Sequence, residues 1–197
     1  DGALLTELRG RGLGERLTGV EIAPAAVELA RSRPQLDAVE LYDGSHLPFP
    51  DGSFDLAVLS HVLEHVRDPP ALLAETARVA GAVVCEVPLE RNWAARSAEK
   101  RAHAAEVGHL QRLDRRAARA MVAAAGLRVV AELEDPLPLA VHVFFADTRL
   151  ARVAGRARWA LRSAIHRSSP ALARQAFTLH YACCLLYTSP SPRDRQK

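Results

Sequence analysis

The chain is short of aromatic residues, at 5% of 197, and of sulfur, with three cysteines and one methionine. Cys85, Cys183 and Cys184 cannot build a disulfide framework or a four-sulfur metal site, so a reducing compartment, the cytoplasm, is expected. No run approaches the roughly 18 apolar residues needed to cross a bilayer, and Asp1 to Arg11 lacks the basic-then-apolar order of a secretory signal. What is present, 49% hydrophobic and 25% charged residues with 11 Gly and 12 Pro, is the composition of a globular domain rather than a disordered chain, collagen or coiled coil.

Acid is missing from one stretch altogether. Residues 1–147 hold 16 Lys and Arg against 22 Asp and Glu, whereas residues 148–183 hold seven Arg and no acid. An acidic body argues against nucleic acid as a partner, which needs a basic face to displace counterions. Any anionic partner should meet the basic segment. The ends are unusual too: the only methionine is Met121, which reads as loss of the true start by truncation. Cys184 to Asp194 resembles a transposon-type sequencing-library adapter translated in frame. The expected organisation is a main domain over 1–147, a basic helical segment over 148–183 and a non-native tail over 184–197, set aside from fold reasoning.

Along the main domain, Leu4, Leu5 and Leu8 share one side of a helix that Gly10 stops. Leu17 to Ile22 reads as a strand, and Pro24 opens a helix that Pro34 ends. Val39 and Leu41 alternate with polar neighbours, and a Gly/Pro-rich loop, 43–53, leads into Phe54 to Leu59, apolar enough for a strand buried on both faces. Pro69 to Ala80 is helical, Ala82 to Val87 is a buried strand, residues 91–106 are polar and helical, and Arg115 to Ala125 is a helix stopped by Gly126. Leu127 to Glu132 and Ala140 to Phe145 are candidate strands. This alternation implies an α/β fold, a Rossmann-like, mostly parallel sheet with helices on both faces, followed by a basic helix.

Ligands of an open α/β sheet lie at the carboxyl ends of its strands. The polar residues there are Glu21, Asp43, and Ser60 with His61. A carboxylate at Glu21 can accept both hydroxyls of a ribose. Asp43, before Gly44, can accept from the exocyclic amine of an adenine, and the two together read an adenosine. Each is also an ordinary helix cap or turn acid.

Asp1-Gly2 before a helix, Thr18-Gly-Val-Glu-Ile-Ala-Pro24, the loop from Asp43 to Asp55, Val62-Leu-Glu-His-Val-Arg-Asp-Pro69 and Gly108-His-Leu-Gln-Arg-Leu-Asp114 closely resemble successive motifs of class I S-adenosylmethionine-dependent methyltransferases. The likeness is to the type-11 or ubiquinone-methyltransferase-like branch and covers residues 1–135. It implies that Gly2 lets the backbone approach the methionine part of S-adenosylmethionine, Glu21 holds the ribose, Ile22 packs on adenine, Asp43 with Gly44 binds its polar edge, and Ser60 stands on the cofactor side. His61 and His109 would line the side of a small-molecule acceptor, as base candidates or as packing residues, with no metal required. The family pattern also places a strand and two further glycines before Gly2. Without that first strand the sheet should lose its centre and expose strand edges, leaving the chain unstable, poor at binding cofactor and weakly active or inactive.

Three rival readings remain at this level. His61-Val-Leu-Glu-His65 matches the inverted zinc-protease motif, with Glu64 as base. The separation of Gly2 and Glu21 suits an NAD(P)-binding oxidoreductase. A non-catalytic binding protein would keep the fold without turnover. Finally, residues 148–168 form a basic amphipathic helix, suited either to an anionic membrane surface and a lipid-like acceptor or to packing on the domain with its arginines in water.

Overall fold

The computed structural model describes residues 2–144 and 146–187, which fall into two compact units, Asp1–Pro50 and Asp51–Lys197. In the first, helix α1 (Ala3–Gly10) is followed by strand β1 (Thr18–Glu21), helix α2 (Pro24–Arg31) and strand β2 (Ala38–Leu41). Pro24 sits in the first turn of α2, where a missing N–H breaks no helical bond. The two strands are parallel, with Glu21 opposite Leu41, and the crossover helix buries Val27 and Ala30 against Val39. A polar clamp ties α1 to them. Arg9 donates to the Asp37 carboxylate and to the carbonyls of Glu15 and Gln35, and Asp37 also accepts the Leu17 N–H at 2.6 Å. That N–H, with Arg9 beside it, holds the Asp37 carboxyl below its ordinary range.

The second unit runs β3 (Phe54–Ser60), α3 (Pro69–Val79), β4 (Ala80–Leu89), α4 (Ala98–Glu106), α5 (Arg115–Ala124), β5 (Leu127–Asp135), α6 (Leu139–Val143), α7 (Arg149–Ser168), α8 (Pro170–Ala176) and β6 (Leu179–Tyr187). Short 3₁₀ turns lie at Leu63–His65 and Ala94–Arg96. Asp68 and Asp114 cap α3 and α5 by accepting the N–H groups of Ala71 and Ala117. The sheet order is β3-β4-β6-β5, with β3 parallel to β4 and β6 antiparallel to both of its neighbours. Leu73, Val83, Val87, Val122, Leu179 and Tyr181 form the heart of its core. Tyr181 donates its hydroxyl to Glu132 at 2.7 Å, and burial pushes its pKa up to about 12. Both units are α/β: a parallel pair of strands with its crossover helix in the first, and in the second a mixed sheet of one parallel and two antiparallel pairings flanked by helices.

Three expectations need correction. Leu56 and Val58 of β3 are exposed rather than buried on both faces, because β3 is an edge strand whose only partner among the described residues is β4. β1 likewise pairs only with β2 among the described residues, so the parallel strands stand in two separate sheets. The segment expected as a strand over Ala140 to Phe145 is helical over Leu139–Val143, with Pro138 as its N-cap; Phe145 lies outside the described residues. The place beside β5 belongs instead to β6, which contains residues 184–187 of the segment set aside as a tail. Cys184 faces Val84, and Leu185 faces both Val83 and Val129, so these four residues are part of the fold. The alternating Cys183-Cys184-Leu185-Leu186 run supplies the buried positions a central strand requires. Residues 188–197 lie outside the described residues.

Candidate functional site

Each unit gathers its candidate residues at strand ends. In the first, Gly2 is left-handed at φ 76°, and a Cβ there would meet Arg33 and Leu36 side-chain atoms at 3.0 Å, so the position requires glycine. Glu21 closes β1, and its Oε1 accepts the N–H groups of Ile22 at 2.8 Å and Ala23 at 3.1 Å, which fixes the carboxylate at the strand end. The Ile22 side chain is 65% exposed beside it. The Tyr42 N–H donates to the Glu21 carbonyl at 2.9 Å and joins the ends of the two strands. Beyond β2, Asp43 Oδ1 accepts the N–H and hydroxyl of Ser45 and the N–H of His46, at 2.8 to 2.9 Å. Those backbone N–H groups hold its carboxyl below the ordinary range. Gly44, at φ 89°, has nothing within 4 Å of where a Cβ would stand. A carboxylate anchored at one strand end, an exposed isoleucine and open space over an acid-centred turn suit the ribose and adenine of a nucleoside.

In the second unit the ends of β3 and β4 carry a histidine–glutamate network. His61, just past β3, has φ 55°, a left-handed conformation that side chains other than glycine seldom adopt. Its N–H donates to the Glu86 carbonyl at 3.1 Å, which holds the strained turn in place. Its Nδ1 donates to Glu64 Oε1 at 2.9 Å. Glu64 is 1% exposed, its Oε2 is buried without a hydrogen-bond partner, and its carbonyl accepts the N–H groups of Leu110 and Gln111. The Glu64 hydrogen bond raises the His61 pKa against the opposing effect of burial.

Ser60 and His180 grip Glu86 from either side. Ser60 Oγ donates to Oε2 at 2.9 Å, and His180 Nδ1 to Oε1 at 3.0 Å. Burial works against it, but these two hydrogen bonds hold the Glu86 carboxyl below its ordinary range. Burial, followed by the neighbouring His61 ring at 4.6 Å, lowers the His180 pKa. Ser60, expected on the cofactor side, is thus placed in the Glu86 cluster.

His109 repeats the pattern: its Nδ1 donates to Glu90 Oε2 at 2.9 Å, and its ring centroid is 4.9 Å from that of His65. A histidine whose Nδ1–H is taken by a carboxylate presents the lone pair of Nε2, the form required of a general base. Glu86 and His180 were not legible in the sequence, and the register of β4 and β6 brings them together; Glu90, not legible either, lies just past the end of β4.

Two groups, His61 with Glu86 and His180, and Glu64 with His65 and His109, have donor atoms within 4.8 Å of one another, close enough to hold a metal ion. They are not the inverted zinc-protease arrangement. That motif needs both histidines one turn apart on an α-helix, whereas here a three-residue 3₁₀ turn places His61 and His65 in different groups.

A family model described as a methyltransferase domain matches residues 1–132. Over 69 residues, 35% of this chain, the sequence is 36% identical to malonyl-[acyl-carrier protein] O-methyltransferase of Serratia marcescens, and the match spans 27% of that protein. The geranyl diphosphate C-methyltransferase of Streptomyces coelicolor A3(2), solved with Mg2+, geranyl diphosphate and S-adenosyl-L-homocysteine, superposes with a TM-score of 0.64 at 16% identity, over 92% of this chain and 68% of that one. The [4+2]-cyclase SpnF superposes with a TM-score of 0.61 at 16% identity, over 96% and 72%. The chain belongs to the methyltransferase-domain family, on the Rossmann-like fold of the class I enzymes that use S-adenosylmethionine.

Proposed function

We propose that the protein methylates a small-molecule acceptor at an oxygen or nitrogen that loses its proton to a histidine. The observation that carries this reading is His61: strained in its backbone, held from one side by the Glu86 carbonyl and oriented from the other by a buried carboxylate. Strain of this kind costs about 1–3 kcal/mol and persists where a function needs the geometry. S-adenosylmethionine supplies an activated methyl group when bound. In the first unit, Glu21 would hold the ribose hydroxyls, Ile22 would cover the adenine, and Asp43 with Gly44 would address its polar edge, while Gly2 leaves room for the methionine part. In the second, His61 Nε2 would take the acceptor's proton, Glu64 would stabilise the imidazolium formed, and the His109–Glu90 pair is a second base candidate. Ser60 and His180 would hold Glu86, whose carbonyl secures the His61 turn. Geranyl diphosphate, named with one of the similar structures, supports a small molecule rather than nucleic acid.

The cofactor half of the proposal has a direct test. Isothermal titration of S-adenosylhomocysteine is expected to show that Glu21→Ala weakens binding about tenfold or more, as loss of hydrogen bonds to a charged group worth ~1.5–3 kcal/mol requires. Asp43→Ala should weaken it too, through collapse of the turn before Gly44. Titrations unchanged in both variants would remove the adenosine site from this unit.

A further inference from the structure

A surface helix in a folded domain normally turns its apolar stripe to the core and its charges to water. α7 does so only in part. Its inward side is formed by Gly155, half-buried Trp159, Arg162, half-buried His166 and half-buried Ile165, which packs against the core of the sheet. A Cβ at Gly155 would lie 2.5 Å from the carbonyl oxygen of His142, so only glycine allows α7 to approach α6 this closely. Arg162 lies 4.3 Å over the Phe177 ring and donates to the Thr178 carbonyl. The helix is therefore fastened by its less apolar side.

Leu150, Val153, Ala157 and Leu161 stand on the other side, within about 80° of arc at 3.6 residues per turn. Leu150 is 80% exposed, Val153 60% and Leu161 63%. Exposed Arg149, Arg156 and Arg167 border this stripe on one flank and exposed Arg158 on the other. Just ahead of the helix, Val141 and Phe144 are exposed as well. The helix is thus packed on its inward side with most of its arginines in water, and this apolar stripe stands in water beside them.

We propose that α7 docks the protein in the plane of an anionic phospholipid surface. The stripe would enter the boundary between acyl chains and headgroups, and the bordering guanidiniums would lie level with the phosphates. Charge selects this occupant. α7 carries six Arg and no acid, and four of the six border the stripe from end to end, so the matching surface must be negative along the whole ~30 Å of the helix, as a sheet of phosphate headgroups is. A protein partner would have to bring an apolar groove with acidic rims on both sides. The inference does not depend on the acceptor chemistry proposed above, and no helix of the described chain is long and apolar enough to cross a membrane.

The test is co-sedimentation of the whole chain with vesicles of phosphatidylcholine alone and of phosphatidylcholine mixed with phosphatidylglycerol. The expected result is binding about tenfold or more stronger to the mixed vesicles, weakened by added salt. Val153→Glu with Leu161→Glu should abolish it without lowering the melting temperature, since both side chains already face water. Arg149→Glu with Arg156→Glu should also remove the preference for anionic lipid, while Arg116→Glu on α5 leaves it intact. No binding to mixed vesicles, or binding indifferent to the paired glutamates, would overturn the proposal. So would a dimer, dissolved by those glutamates, that ignores vesicles: it would assign the stripe to a second copy of the chain.

Discussion

A chain ending at Cys183 is expected to lose the cooperative unfolding transition that a chain ending at Tyr187 retains. Residues 184–187 pair with β4 on one side and β5 on the other, and Leu185 is 0% exposed between them. Removing the four leaves the ends of two strands without partners and opens the core beside Val83 and Val129. Leu185→Ala isolates the packing part of this loss and should cost about 2–5 kcal/mol, much of the ~5–15 kcal/mol that holds a typical domain together. Leu186→Ala, on the half-buried face of the same strand, should cost less. Urea unfolding followed by far-ultraviolet circular dichroism would measure all three. Equal midpoints for the two truncated chains would show that β6 ends, in energetic terms, at Cys183.

The failure of the sequence to reveal β6 has a physical basis. α2, α3 and α5 announce themselves locally, through Pro24, Asp68 and Asp114 at their starts and apolar periodicity within one helix. β4 is legible because its apolar run is long and buried almost throughout. β6 carries an equally apolar run, but nothing within it says that it belongs between β4 and β5, and its last residues open a stretch, 184–194, that resembles a foreign sequence. With β6 absent, Ala140 to Phe145 is the obvious candidate for a further strand, although Pro136 and Pro138 precede it and suit a helix start. The same limit applies to the site. Glu21, Asp43, Ser60 and His61 were visible because strand ends can be counted along the chain. His180 reaches Glu86 only through the antiparallel register of β4 and β6, a pairing of residues 94 positions apart. Glu64 was visible but in another role: the zinc spacing assumes an α-helix, and the left-handed turn at His61 breaks it.

The largest expected effect on catalysis is at the His61–Glu64 pair. His61→Ala should lower kcat by about 10²–10⁴-fold, the usual contribution of a positioned general base, in an assay that follows transfer of a labelled methyl group from S-adenosylmethionine to a panel of hydroxyl and amine acceptors. Glu64 acts through His61, so its substitution has a distinct signature. The base works as neutral imidazole, and activity should therefore rise with pH through the His61 pKa, which the Glu64 hydrogen bond raises. Glu64→Gln removes the carboxylate charge and lets that pKa fall, so the acid limb of the kcat profile should move to lower pH while the maximum rate drops. A role for Glu64 confined to packing would lower the rate, if at all, without moving the limb. His109→Ala separates the two base candidates: if it, rather than His61→Ala, removes the acid limb, the proton goes to the His109–Glu90 pair, and the strain at His61 serves to shape the acceptor's surroundings. An acid limb that survives in His61→Ala and His109→Ala alike would exclude histidine base catalysis and leave methyl transfer to an acceptor that needs no deprotonation.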